Sequence, residues 1–350
     1  MLTLSTLSTV ALVLTIIAIA GAIYTWRVSK PLFTERYDDD TAQIVADANV
    51  ALTFARSADA LIRVLAHDGD TVHGINLTAA FGTERTADLI ALYEELGYDG
   101  LAAVEAEAVT VHTADLGQPV DYRYPYVAVG TNYAEHAEEV MVDDPPFLFP
   151  KLARASAWNA QVPFTKRLDY EIELGVVPLR DIRSATDDVP FGLVLCNDYT
   201  DRWTLVRQLK FKEPMGTTGF ADAKGKSGFL PTGYLFVIPK SRDYLNGLQH
   251  RLWLNGGLRQ RFTAGEMILK VEEIVTQTLE LKDRPHQSQN GPVPLLHQDT
   301  IPAGTLILTG TAAGVIFKPA NIWLQTIYLQ KNDVVRAQAD GLGQLLNRIH

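Results

Sequence analysis

The sequence predicts an α+β chain, mostly β, preceded by a small N-terminal helical region and one transmembrane helix. Three observations carry this. From about Tyr122 onward, short β-rich runs alternate with Gly and Pro: Tyr126-Val-Ala-Val129, Glu171 to Val177, Gly192 to Leu195, Tyr234 to Ile238, Leu252 to Leu254 and Thr305 to Thr309. Many short strands with few helices between them favour a closed or folded-over β architecture over a doubly wound sheet. Before them, Ala42 to Ala66 and Thr86 to Leu96 space their apolar residues as helices do, with Gly97 in the C-terminal position of the second. At the start, residues 1–26 hold no charged side chain and Leu7 to Trp26 is mostly apolar.

That opening run has the length of a bilayer span, about 20 residues. Tyr24 and Trp26 would lie at the interface, and Arg27, Lys30 and Arg36 follow with no Lys or Arg before them. The positive-inside rule then places the rest of a single-pass membrane protein in the cytoplasm. A cleaved signal peptide, with Ala18-Ile-Ala20 at the cleavage site, is the competing reading, but it lacks a positive n-region. The division expected is an anchor over 1–30, a linker and small N-terminal domain over 31–115, and the β-rich domain over 116–350. Within the last, 133–140 and 264–279 have helical spacing, and 282–294 reads as a Gly, Pro, Gln and Asn-rich loop.

A chain of 350 residues with 47% hydrophobic content can bury a sizeable core. The net charge of −10 and the absence of a Lys/Arg cluster argue against nucleic acid as a partner. Cys196 is the single cysteine, which excludes an internal disulfide and a cysteine-based zinc site.

The chemistry is concentrated in three carboxylates. Glu171 and Glu173 sit at i and i+2 of an extended segment, hence on one face, and Asp198 follows in Cys196-Asn-Asp-Tyr-Thr-Asp-Arg202. If a third strand brings Asp198 alongside them, they would form an all-oxygen nest for Mg²⁺ or Mn²⁺. Separately, each Glu would read as part of a solvated sheet face. His136 has Glu139 three residues on, and so on the same face of a helix, where a carboxylate can orient the imidazole. Glu138 is the alternative partner.

Taken in order, Tyr126-Val-Ala-Val-Gly-Thr-Asn-Tyr-Ala-Glu-His-Ala-Glu-Glu139, Glu171-Ile-Glu173, Asn197-Asp198, Ala223-Lys-Gly225, Asn255-Gly256 with Leu258-Arg-Gln260, Leu308-Thr-Gly-Thr311, and Gly341-Leu-Gly343 before Leu346-Asn347 resemble the fumarylacetoacetate hydrolase family over about residues 122–350. The resemblance implies a mixed β-roll, a divalent metal, usually a homodimer, and hydrolysis, decarboxylation or isomerisation of a β-dicarbonyl or 2-oxo acid. It assigns the metal to Glu171, Glu173 and Asp198, proton transfer to His136 with Glu139, and charge stabilisation to Lys224, with Lys226 as the local competitor. Thr311, Gly310 and Arg202 fall to the substrate. Acylpyruvate-like C–C hydrolysis is the reaction expected first, with oxaloacetate-type decarboxylation or enol–keto isomerisation, or a catalytically silent tethered subunit, as alternatives. The departures fall in the substrate region: where the family usually has an acid and a glutamine after the arginine, this chain has Trp203 and Leu205. Loss of polar contacts in a pocket alters discrimination more than metal binding.

Overall fold

The computed structural model describes residues 4–28, 32–38 and 45–350. Leu4–Val28 is helical. Among the described residues, however, no helix is long and apolar enough to cross a membrane. This overturns the transmembrane anchor, and with it the membrane association, the single-pass location and the cytoplasm-facing orientation inferred from it. The uninterrupted length is the physical reason: hydroxyl residues Ser5, Thr6, Ser8 and Thr9 precede Val10, Thr15 lies inside, and the apolar block ends at Ile23. A block of that length falls short of the roughly 20 residues a bilayer core demands. Of the linker expected after it, residues 31 and 39–44 lie outside the described residues.

Residues 42–66 also differ from expectation. Positions 42–44 lie outside the described residues, and the remainder forms two antiparallel strands, Ala51–Arg56 and Leu61–Asp68, not a helix. Ala51 to Ala55 are all buried, so both faces of the first strand are covered and its apolar run has no alternation to separate it from a helical one. The second helix does form, over Leu89–Ala102, capped by Asp88, whose carboxylate accepts from the amides of Ile90 and Ala91. Gly97, at φ 66°, kinks it, and helical turn resumes beyond.

Ten strands form one mixed sheet in the order Ala108–His112, Thr71–Asn76, Leu61–Asp68, Ala51–Arg56, Phe236–Pro239, Phe191–Asn197, Ile172–Pro178, Thr305–Leu308, Arg123–Gly130, Phe147–Lys151. Thr305–Leu308 runs parallel to Arg123–Gly130, and the other pairings are antiparallel. A second sheet orders Gly257–Thr263, Gln249–Leu254, Val334–Ala339, Gly343–Ile349 and Gln161–Val162. It packs against the centre of the first, where Ile172–Pro178 and Phe191–Asn197 are buried along their whole length. The expected 133–140 helix is Ala134–Glu139, 264–279 resolves into a 3₁₀ turn and the helix Val271–Leu281, and the 282–294 loop contains a small hairpin, His286–Ser288 with Gly291–Val293.

Candidate active site

The antiparallel register of the two central strands assembles the acids. Cys196 pairs with Glu173 and Asn197 with Ile172, so Glu171 and Asp198 face each other where the strands end. The Asp198 amide donates to the Glu171 carbonyl at 2.8 Å, which fixes that juxtaposition. One carboxylate oxygen from each of Glu171, Glu173 and Asp198 lies within 4.8 Å of the others, and all three side chains are buried. The sequence-predicted nest is thus formed.

Three cations hold it. Lys224 Nζ lies 2.5 Å from Glu171 Oε2 and 2.8 Å from Asp198 Oδ2, bridging two of the acids. Arg202 reaches Glu171 Oε1 at 2.5 Å and Asp169 Oδ2 at 2.8 Å, and Lys151 pairs with Asp198 Oδ1 at 2.5 Å. Burial raises the Glu171 carboxyl, but Lys224 and Arg202 outweigh it and lower it to about 2. Among the described residues Glu173 accepts from the Gly310 amide alone, at 2.8 Å. Burial, then the neighbouring Asp198 charge, push its carboxyl well above the usual range.

Four buried carboxylates, counting Asp169, therefore face three cations. Among the described residues Glu173 is the member without an ion pair, and the donor set is all oxygen. A divalent cation fits both the spacing and the charge deficit. The residues that would hold it are Glu171, Glu173 and Asp198.

His136 lies on the Ala134–Glu139 helix with Nδ1 3.4 Å from Glu139 Oε2, both side chains nearly closed to solvent. Glu138 is exposed, which leaves Glu139 as the partner. Glu139 is held in turn by the Gly314 amide at 3.1 Å and by Lys318. Although burial raises its carboxyl, His136 and Lys318 bring it below the usual range.

His136, Glu171, Lys224, Arg202 and Thr311 line one cavity of about 620 Å³. Lys226 does not line it and pairs with Asp201. Thr311 donates its hydroxyl to the Ile172 carbonyl at 2.7 Å and accepts from Gln260 at 2.9 Å. Gly310, whose amide serves Glu173, has φ 92°, and a Cβ there would stand 2.9 Å from that of Asn132. Both donors expected at a substrate carboxylate are therefore engaged within the protein.

Three contributors were not anticipated. Lys151 is wholly buried, and a lone cation closing Phe147-Leu-Phe-Pro-Lys151 was the available signal. Asp169 accepts from Arg202 and from the amides of Ile316 and Phe317, tying the loop after Thr311 to the site. Gln260 reaches across from the second sheet to the Ile172 amide and Thr311.

The family model described as fumarylacetoacetate (FAA) hydrolase C-terminal matches residues 126–350. A 2,4-didehydro-3-deoxy-L-rhamnonate hydrolase of Sphingomonas sp. (strain SKA58) is 29% identical over 274 residues, 73% of this chain and 85% of that one. A mitochondrial oxaloacetate tautomerase of Bos taurus is 28% identical over 66% of this chain and 68% of its own. The solved fumarylacetoacetate hydrolase of Exiguobacterium antarcticum superposes with TM-score 0.61 at 23% identity, covering 86% of this chain and 99% of that one, so the fold is shared. With the family model matching 126–350 and Glu171, His136 and Lys224 lining one cavity, this chain belongs to the fumarylacetoacetate hydrolase family.

Proposed function

We propose that this chain is a Mg²⁺-dependent, or Mn²⁺-dependent, hydrolase of β-dicarbonyl or 2-oxo acids that cleaves an acylpyruvate-like C–C bond. The observation that supports it most is the meeting of three carboxylate oxygens within 4.8 Å, one of them from Glu171, which lines the same cavity as His136. A divalent cation bound there supplies Lewis-acid stabilisation of the negative charge that develops on the dioxo unit.

The chain's own residues do the rest. His136 removes a proton from water, held in the required orientation by Glu139. The water oxygen adds to the acyl carbonyl, the bond between that carbon and the methylene breaks, and its electron pair passes to the pyruvate fragment. The proton from His136 then returns to the methylene carbon, so one water is consumed and a carboxylic acid and pyruvate are formed. Lys224, with its ammonium at Glu171 and Asp198, holds developing negative charge. Arg202 positions Glu171, while Gly310 and Thr311 shape the wall beside Glu173.

Enol–keto isomerisation is the second reading, supported by the tautomerase relative, and needs the same dyad without attack by water. The test is turnover of acylpyruvates and oxaloacetate by the full chain, with Mg²⁺ and with EDTA, beside Glu171→Ala. Release of free acid that stops with EDTA and in the variant is expected. Turnover indifferent to both refutes the reading, and enol loss without acid release selects the isomerase.

A further inference from the structure

The cavity beside Glu171 is polar at its buried end, and its walls are otherwise mostly apolar. Phe149 begins its apolar part, with Lys224 Nζ 5.7 Å from the ring centroid. Phe220 packs against Phe149 at 5.1 Å and against Phe147 at 4.9 Å, forming a rigid aromatic cluster. Leu205, Val206, Leu209 and Met215 continue the lining, and it reaches solvent at Met141, 76% exposed, and Phe211, 86% exposed.

The charges lining this space are equally selective. Its two permanent cations, Arg202 and Lys224, each serve two carboxylates already. Asp143 and Asp144 also line it and are exposed. A second carboxylate at the far end of a substrate would meet no unengaged permanent cation among the lining residues, lose water against aromatic and aliphatic walls, and feel two aspartates.

We propose that the substrate bears an apolar alkyl or aryl substituent on the carbonyl remote from its carboxylate, and that this cavity selects against a terminal second acid. The inference rests on the dioxo-acid chemistry above and deepens it by naming the substituent. Leu205, standing where the family usually has glutamine, is part of the device.

The test is kcat/KM of the full chain with Mg²⁺ for acetylpyruvate, pentanoylpyruvate, octanoylpyruvate and succinylpyruvate. Each added methylene is expected to raise kcat/KM about fourfold until the cavity is filled. Succinylpyruvate is expected to fall about tenfold or more below pentanoylpyruvate. Val206→Arg, which places a cation among the apolar walls, is expected to narrow or invert that last ratio. Should this variant not fold, Met215→Ser is expected to lower the preference for octanoyl over acetyl. A flat series, or a preference for succinylpyruvate, overturns the proposal. Calorimetry with oxamate and N-octyl oxamate separates it from the reaction assigned above. Tighter binding of the octyl compound with no acylpyruvate turnover leaves the tail preference standing and removes the hydrolase. Equal binding removes the tail preference whatever the turnover.

Discussion

Lys151 and Asp198 form an ion pair at 2.5 Å with both side chains at 0% exposure, directly beneath the proposed cation site. Lys151 Nζ also donates to the carbonyls of Lys224 at 2.5 Å and Phe229 at 3.0 Å, so the ammonium is satisfied on several sides. Burial lowers its pKa, and Asp198 opposes that shift. Removing one member of a buried pair strands the other charge, at a cost of about 3 to 5 kcal/mol. Lys151→Met leaves Asp198 with Lys224 alone, so it is expected to lose stability up to that scale in urea melts, and to lose less when Mg²⁺ is present to neutralise Asp198. Wild-type stability in Lys151→Met would show that Lys224 alone is a sufficient counter-charge for Asp198.

Cation binding is expected to stabilise the folded chain, because the three acids converge only in that state. At a hundred times the dissociation constant the gain is about 2.7 kcal/mol. Thermal unfolding with and without Mg²⁺ should show a rise that Glu173→Gln diminishes, since Glu173 is the acid without a cationic partner. An increase of equal size in wild type and variant would place the ion elsewhere.

The site was more legible than the fold around it. Glu171 and Glu173 share a face by strand period alone, and Asp198 joins them because Cys196 pairs with Glu173, a register that two long apolar runs enforce. Lys151 and Asp169 went unread because a buried ion pair is set by tertiary approach, with 47 residues separating Lys151 from Asp198. The N-terminal region misled for a different reason. Ala51 to Ala55 are buried on both faces, so their strand lacks the alternation that separates strand from helix. Trp203 and Leu205, read as lost polar contacts, take different places: Leu205 lines the cavity, whereas Trp203 meets Trp323 edge to face and lies under the Arg167 guanidinium at 4.3 Å.

Separating catalysis from architecture at the dyad calls for two variants. His136→Gln removes the proton acceptor and is expected to lower kcat by about 10² to 10⁴, with little change in stability. Glu139→Gln should lower kcat less, yet cost stability, because Glu139 also accepts from the Gly314 amide and pairs with Lys318. The checks are kcat and urea midpoints for both. A His136→Gln variant with undiminished kcat would remove the residue from proton transfer.

His250 supplies a stability dependence remote from the cavity. It lies in Gln249–Leu254, stacked on Phe262 at 4.9 Å, with Nδ1 3.2 Å from the Leu248 carbonyl and Nε2 buried without a partner among the described residues. Burial is the main cause that takes its pKa from 6.5 to about 4, and the Leu248 carbonyl only partly opposes this. The folded chain thus prefers the neutral ring. Its contribution is complete above the unfolded value of 6.5 and is lost as pH falls through the interval down to about 4. Over that interval the loss is about 3 kcal/mol. His250→Leu keeps an apolar group against Phe262 and has no ring to protonate, and the Leu248 carbonyl still accepts from the Ala264 amide at 3.0 Å. Urea unfolding of both proteins between neutral and mildly acidic pH should show the wild type losing more stability than the variant. Parallel curves would mean that the ring becomes protonated without opening the sheet.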